Sequence, residues 1–375
     1  MEYFPHGQPF LTFLFFTFVR SISNLYMKII VDDKIPYIKE AIESIADEAV
    51  YLAGRNFTPE TVKDADALII RTRTHCNSEL LAGSRVRLIA TATIGYDHID
   101  TEFCRQAGIE WRNAPGCNAA SVAQYVQSGL IVWSRMKKRD LKGLTIGIVG
   151  VGNVGRKVAE VAKRFGMRML LNDPPREATE GSRSFCSLEQ IAEECDIVSF
   201  HVPLYIKGAY KTFHLADEIF FHSLRQTPLL INTSRGEVIE TDALSKALDK
   251  HLISDAIIDV WENEPAIDRE LLGKVLLGTP HIAGYSADGK ANATRMALDA
   301  VCDFFAIKKE YVIAPPPPAS PTVEARTYEE ALLRIYDPRN DSNRLKAQPE
   351  VFEKLREEYP LRREEAAYNI SCRQN

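Results

Sequence analysis

Residues 145 to 173 read TIGIVGVGNVGRKVAEVAKRFGMRMLLND. The apolar run Thr145–Val149 is continuous, as a strand buried on both faces requires. Gly150-Val151-Gly152-Asn153-Val154-Gly155 follows without a gap. Val154, Val158, Val161, Ala162 and Phe165 then recur along one face of a 3.6-residue period, and Gly166 is placed to end that helix in a left-handed conformation. A second run, Met167–Leu171, leads to Asn172 and Asp173.

Each glycine in this order has a physical task. Gly150 permits a tight turn, Gly152 lets a pyrophosphate approach the backbone, and Gly155 lets helix and strand pack closely. The helix N-terminus adds unpaired N–H groups and a positive dipole end. Asp173 is placed to accept ribose hydroxyls and to repel a 2′-phosphate, which favours NAD over NADP. Arg176 nearby works against that preference.

Outward from this unit, short apolar runs recur: Lys28–Asp32, Ala67–Ile70, Leu88–Ala90, Ile197–Phe200, Leu229–Ile231, Ala256–Ile258 and Val275–Leu277. Helix-like stretches separate many of them, which predicts a doubly wound α/β architecture with ligands beyond the carboxyl ends of the strands. Three such ends carry chemistry-bearing residues. They are Asn232-Thr233-Ser234-Arg235-Gly236, Asp259-Val260-Trp261-Glu262-Asn263-Glu264-Pro265 and Thr279-Pro280-His281-Ile282-Ala283-Gly284. Singly, Arg235 reads as a surface ion pair, Glu264 as a solvated turn residue and His281 as a core histidine.

Together these motifs resemble those of the D-isomer-specific 2-hydroxyacid dehydrogenases. The resemblance implies that Arg235 anchors a substrate carboxylate, that His281 exchanges the C2 hydroxyl proton, and that Glu264 holds the imidazole. It also implies cofactor contacts from Gly150, Gly152, Asn153, Val154, Gly155, Asp173, Val202, Ser234, Asp259 and Gly284. Further stretches are similar to the erythronate-4-phosphate branch of that family: Thr91–Asp100, Pro115–Ala119, Asp173-Pro174-Pro175-Arg176, Tyr210-Lys211-Thr212, His281–Ser286 with Asp288-Gly289-Lys290, and Tyr336-Asp337-Pro338-Arg339 with Leu361–Glu365.

That likeness implies an NAD-dependent oxidation of 4-phospho-D-erythronate to (R)-3-hydroxy-2-oxo-4-phosphobutanoate, a step in pyridoxal 5′-phosphate synthesis. Thr72, Thr93 and Tyr285 would contact the substrate. Apart from the likeness, the cation-rich stretch Arg71-Thr72-Arg73-Thr74-His75 follows the run Ala67–Ile70, so Arg71 or Arg73 is expected to help hold the phosphate; a solvated strand-end charge is the other reading. Gln124 departs from the Glu common in the wider family, a change expected to affect helix packing. The rival readings are another dehydrogenase, acting on phosphoglycerate, hydroxypyruvate, glyoxylate or lactate, and a non-catalytic NAD-sensing corepressor or scaffold.

The implied fold is a Rossmann NAD-binding domain, residues 123–282, inserted in a flavodoxin-like substrate domain, residues 27–122 and 283–308. A small α+β dimerisation domain, residues 309–375, would make the protein a homodimer. It begins near the polyproline stretch Ala314–Ala319. Its alternating charges, interleaved with Leu332, Leu333, Phe352 and Leu355, read as short amphipathic helices. These are too few to build a core alone, so they must pack on the main body or on a second subunit.

Residues 1–26 stand apart. The run FLTFLFFTFV at 10–19 is shorter than a membrane span, and no basic n-region or small-residue cleavage site accompanies it. An extension outside the fold, or a start upstream of the true one at Met27, is the favoured reading; export or anchoring is the other. Lys+Arg is 46 against Asp+Glu 51, a net charge of -5, which argues against nucleic acid but not against a small anion. The seven cysteines are scattered without a C-x-x-C, which predicts reduced thiols, no zinc site and a cytoplasmic chain.

Overall fold

The computed structural model describes residues 26–360 and 362–372. The expectations for residues 1–25 lie outside them. Two parallel sheets organise the chain. The first contains β1 (Lys28–Asp32), β2 (Glu48–Leu52), β3 (Ala67–Ile70), β4 (Leu88–Thr91) and β5 (Glu110–Arg112), in the order β2-β1-β3-β4-β5. The second contains β6 (Thr145–Val149), β7 (Arg168–Asn172), β8 (Ile197–Phe200), β9 (Leu229–Asn232), β10 (Asp255–Ile258) and β11 (Leu277–Gly278), in the order β11-β10-β9-β8-β6-β7. Every residue of β3, β4, β6, β8 and β9 is buried, because helices cover both faces.

Strand order reverses at β1/β3 in the first sheet and at β6/β8 in the second. At such a point the connecting loops diverge and open a crevice above the strand ends. The expected Val275–Leu277 strand is shorter in the structure. Val275 N–H donates to Leu271 O and caps the helix Arg269–Lys274, so only Leu277 and Gly278 pair with β10.

Helix Asn153–Arg164 buries Val158, Val161 and Ala162, and Gly166 follows at φ +67°. Helix Ala119–Lys137 runs unbroken through the expected junction at residue 122, so the two sheets are joined there by a rigid rod. After the second sheet the chain returns to the first. Helix Ala287–Phe305 packs Ala297, Leu298 and Val301 against Ile29, Val31, Leu88 and Ala90.

The C-terminal segment packs on the main body of its own chain. Helices Tyr328–Ile335, Pro338–Ala347 and Phe352–Glu357 lie between β12 (Thr322–Ala325) and β13 (Asn369–Cys372), which pair in parallel. Leu332, Leu333 and Tyr336 join the core containing Trp133, Ile257 and Leu277. Leu345 and Phe352 join the core containing Trp261, Leu271 and Leu272. The amphipathic faces thus borrow a core that about fifty residues could not form alone.

Phe352 is 1% exposed. Phe352→Ala is expected to lower the free energy of unfolding by about 3–5 kcal/mol, the usual cost of deleting a buried aromatic ring. Urea unfolding measures it. A stability unchanged from wild type would show that this helix does not dock as described.

Candidate active site

The glycine turn after β6 is shaped by close approach. Gly150 has φ +89°, and a Cβ there would meet backbone atoms of His201 and Val202 at 2.7–2.8 Å. A Cβ on Gly155 would lie 2.0 Å from Gly150 O. Gly152 differs, because nothing stands within 4 Å of the Cβ it lacks. Protein packing therefore dictates two of the glycines, and the third leaves the backbone open at the helix N-terminus, where a pyrophosphate fits. Asn153 opens that helix against Gly116, and Val154 packs toward the core.

Gly150, Asp173 and Val202 line a cavity of about 550 Å³ with Pro174, Pro175 and Tyr205, roomy enough for a nucleoside. Asp173 Oδ2 accepts the Val151 N–H at 2.8 Å and Oδ1 the Arg176 N–H at 3.2 Å. Each oxygen keeps acceptor capacity for a ribose hydroxyl. Arg176 is bound bidentately to Glu180, both contacts at 2.7 Å, and donates to Val151 O at 2.6 Å. Its charge is thus matched by a carboxylate, and its pull toward a 2′-phosphate is weakened.

Glu264 and His281 meet. His281 Nδ1 lies 2.9 Å from Glu264 Oε2, while Glu264 Oε1 accepts the Trp261 N–H at 2.9 Å. This fixes the ring and leaves Nε2 for chemistry. His281 has φ +55°, a left-handed backbone uncommon for a side chain of this size. It is held there by its N–H donating to Asp259 O at 2.7 Å. Asp259 is itself buried. Its carboxylate accepts from Thr279 Oγ1 at 2.6 Å, Ile282 N–H at 2.8 Å and Ala283 N–H at 2.9 Å. Burial pushes its pKa up, and the neighbouring His281 and these donors oppose that.

Arg235 is exposed beyond β9, with Nη1 on Ser234 O at 2.7 Å. Its loop is seated by Gly236, where a Cβ would come within 2.0 Å of the Trp261 carbonyl. Ser234 is buried and bonded to Asn232 Oδ1 at 2.7 Å, so it braces the Arg235 turn. On the first sheet, Thr72 is exposed after β3, and Thr93 Oγ1 donates to Gly95 O at 2.8 Å beyond β4. Tyr285 stands on the return segment, its ring edge-to-face with Tyr359 at 6.0 Å. Of the two candidate phosphate cations, Arg73 is paired with Glu357 at 3.1 Å; Arg71 has no ion pair among the described residues.

Several residues that the sequence presents only within longer stretches take a specific place in the site. Arg362 is buried and donates to Ile282 O, Ala283 O, Tyr285 O, Ser121 O and Gln124 Oε1, at 3.2, 2.6, 2.8, 3.1 and 3.0 Å. That contact explains Gln124, whose amide nitrogen also donates to Arg363 O at 3.2 Å. A Cβ on Gly284 would meet Asn118 Nδ2 at 2.2 Å, and Asn118 Oδ1 is buried without a partner among the described residues. The periodic position of Ser121 and the alternating charges around Arg362 offered no signal for this contact.

The family described as D-isomer specific 2-hydroxyacid dehydrogenase, NAD binding domain, matches residues 118–283. A domain of unknown function matches residues 319–375. The chain is 69% identical over 344 residues to an erythronate-4-phosphate dehydrogenase of Bacteroides thetaiotaomicron, covering 92% of this chain and 99% of the relative. The chain belongs to the erythronate-4-phosphate dehydrogenase family. A relative of the same description from Porphyromonas gingivalis is 43% identical over 352 residues, covering 92% of this chain and 95% of that one. Among solved structures, an NAD+-bound 3-phosphoglycerate dehydrogenase of Entamoeba histolytica superposes with a TM-score of 0.61 at 29% identity, over 77% of this chain and 98% of that one. The glycine turn and the cavity beside Asp173 therefore lie within an NAD-binding domain of the 2-hydroxyacid dehydrogenases.

His201, at the end of β8, underlies the glycine turn. Its ring nitrogens lie 2.8 Å from Ser199 Oγ and 3.1 Å from Thr233 Oγ1, and burial pushes its pKa down to about 3 from 6.5. A histidine held neutral in the fold contributes stability that is complete above pH 6.5 and is lost as pH falls toward about 3, because the unfolded chain takes up the proton first. His201→Gln is expected to flatten stability against pH across that window. Urea midpoints at several pH values measure it, and an unchanged acid slope would remove His201 as a source.

Proposed function

We propose that this chain oxidises 4-phospho-D-erythronate to (R)-3-hydroxy-2-oxo-4-phosphobutanoate with NAD, in pyridoxal 5′-phosphate biosynthesis. The observation that carries the reaction type is the 2.9 Å contact of His281 Nδ1 with Glu264. It sets a tautomer and ring orientation in which Nε2 can accept a proton. What supports the substrate is the 69% identity to a relative of that name.

Arg235 binds the C1 carboxylate, a planar group that its guanidinium fork matches better than an ammonium does. Its loop position beyond β9 leaves Nε and Nη2 for that contact. His281 Nε2 takes the C2 hydroxyl proton as the C2–H bond breaks. Glu264 stabilises the imidazolium that forms. Held beside the glycine turn, NAD would supply the hydride acceptor for C2. Asp259 and Arg362 hold the His281–Tyr285 turn so that the ring does not swing away from the substrate. Thr72, Thr93 and Tyr285 contact the substrate from the first sheet and the return segment. The cofactor contacts are the glycine turn with Asn153 and Val154, then Asp173, Val202, Ser234, Asp259 and Gly284.

The protein is a cytoplasmic homodimer on this reading. The two-stranded β12–β13 sheet supports that assembly, because each strand keeps an unpaired edge among the described residues and two strands alone are marginal. No helix among the described residues is long and apolar enough to cross a membrane. Light scattering is expected to give twice the mass of one chain.

His281→Ala is expected to lower kcat by about 10²–10⁴-fold, the range of general acid–base catalysis. NAD affinity should stay near wild type, because the ring acts on the substrate side. NADH absorbance gives the first quantity and NAD titration the second. Tight NAD binding by the wild type with no turnover of 4-phosphoerythronate, 3-phosphoglycerate, glycerate or lactate would favour the scaffold reading instead.

A further inference from the structure

The end of β4 and the loop after it hold a row of hydrogen-bonding side chains that the mechanism leaves unexplained. Thr91 Oγ1 is buried and lies 2.7 Å from Thr93 Oγ1 and 3.1 Å from His98 Nε2. Thr93 Oγ1 in turn lies 2.8 Å from Gly95 O. Each hydroxyl has a single hydrogen, and a carbonyl oxygen can only accept. The contact with Gly95 O therefore takes the Thr93 hydrogen. The contact between the threonines then takes the Thr91 hydrogen, and Thr91 must accept from His98 Nε2–H. Ile70 O, the other acceptor near Thr91 Oγ1, is farther off at 3.5 Å. The reverse direction would set lone pair against lone pair between Thr93 and Gly95 O.

His98 is anchored for this task. Its ring is buried, and its carbonyl accepts the Cys76 N–H at 2.8 Å beyond β3. Burial pushes its pKa down and His75 acts in the same direction, against Asp97, so the ring is neutral and carries one proton. Thr93 is half-buried, and its loop is tied to both halves of the site. Thr93 O accepts the Ala114 N–H at 2.9 Å. Gly116, where a Cβ would meet the Asn153 side chain at 2.8 Å, packs on the helix of the glycine turn. Asn118 packs on Gly284, in the turn that carries His281.

We propose that the His98–Thr91 relay fixes Thr93 as a hydrogen-bond acceptor toward the substrate, and that Thr93 thereby reads the C3 hydroxyl. This rests on the function proposed above, in which Thr93 contacts the substrate. Thr93 Oγ1 already donates to Gly95 O and accepts from Thr91, so one lone pair remains. In 4-phosphoerythronate the carboxylate and the phosphate dianion only accept, and the C2 hydroxyl gives its proton to His281. The C3 hydroxyl is the donor left. 3-Phosphoglycerate bears an ester oxygen at C3, which has no proton to offer, so the same lone pair would stay unpaired. His98 is a positioning residue, two hydrogen bonds away from the substrate.

The test compares 4-phosphoerythronate with (R)-2-hydroxy-4-phosphobutanoate, which lacks the C3 hydroxyl, on the full chain with NAD. NAD titration of each variant checks its folding. The wild type should favour 4-phosphoerythronate at least about tenfold in kcat/KM, as one lost hydrogen bond predicts. The difference should lie mainly in KM, because the hydroxyl is kept from substrate to product. Thr93→Val should bring the ratio close to one, and His98→Leu should lower it in the same sense. His98→Gln, whose amide nitrogen can donate in place of Nε2, should recover most of it. A purely structural defect would lower both substrates together and leave the ratio alone. A wild-type ratio near one, or an unchanged ratio in Thr93→Val, overturns the C3 contact. A ratio lowered in Thr93→Val but unchanged in His98→Leu overturns the relay. If the wild type oxidises neither compound, the proposed function fails and the C3 contact with it. The relay is then decided without substrate, by the nitrogen NMR shifts of the His98 ring, identified by their loss in His98→Gln. A proton on Nε2 upholds it, and a proton on Nδ1 alone overturns it.

Discussion

The segment from Pro280 to Tyr285 carries His281, yet beyond β11 it belongs to no strand among the described residues. Two buried charges bond its backbone instead. The Asp259 carboxylate accepts the N–H groups of Ile282 and Ala283, and the Arg362 guanidinium donates to the carbonyls of Ile282, Ala283 and Tyr285. An unpaired buried amide or carbonyl costs about 1–3 kcal/mol, so the turn could not keep this path without both partners. The left-handed φ of His281 is affordable only inside such a clamp.

The clamp also explains why the C-terminal segment belongs to the catalytic unit. Arg362 sits beside Arg363, which is bound bidentately to Asp288, and Glu364, which accepts from Ser121 and Ser286. These contacts tie helix Ala119–Lys137 to helix Ala287–Phe305 at the two crossings between the sheets. A segment that reads in isolation as a solvated charge run is thus the lock across the junction. The ring of Tyr336 beneath Arg362, at 4.1 Å, gives the guanidinium a face to stack on as well as carbonyls to bond.

Much of the second sheet was legible because its signals are local. The turn Gly150–Gly155, the apolar period after it and Asp173 all obey spacings that one strand–helix–strand unit imposes, and the structure keeps them within a residue or so. The Val275 end was misread because apolar residues also cap and bury a short helix. Arg362 and Gln124 were not legible for a different reason. They are 238 residues apart, and nothing in the sequence around either distinguishes a buried arginine from its half-buried neighbours. Only the fold sets which cation of the run Arg356, Arg362, Arg363 points inward. Gln124 accepts from Arg362 through its amide oxygen and donates to Arg363 O through its amide nitrogen, so its meaning appears only beside its partners.

The weak net charge conceals a division of labour between paired and unpaired cations. Arg73, Arg176 and Arg363 are each matched by a carboxylate at about the distance of a direct ion pair, and each holds structure. Arg235, Arg71 and Lys290 are not matched among the described residues, and they lie beyond β9, beyond β3 and one turn after Tyr285. Arg71 and Lys290 are half-buried, and an unmatched cation in such a position is costly unless something anionic completes it. Their placement at strand ends and beside the return turn suits an anionic ligand better than it suits solubility, which cations scattered over the helices would serve equally well.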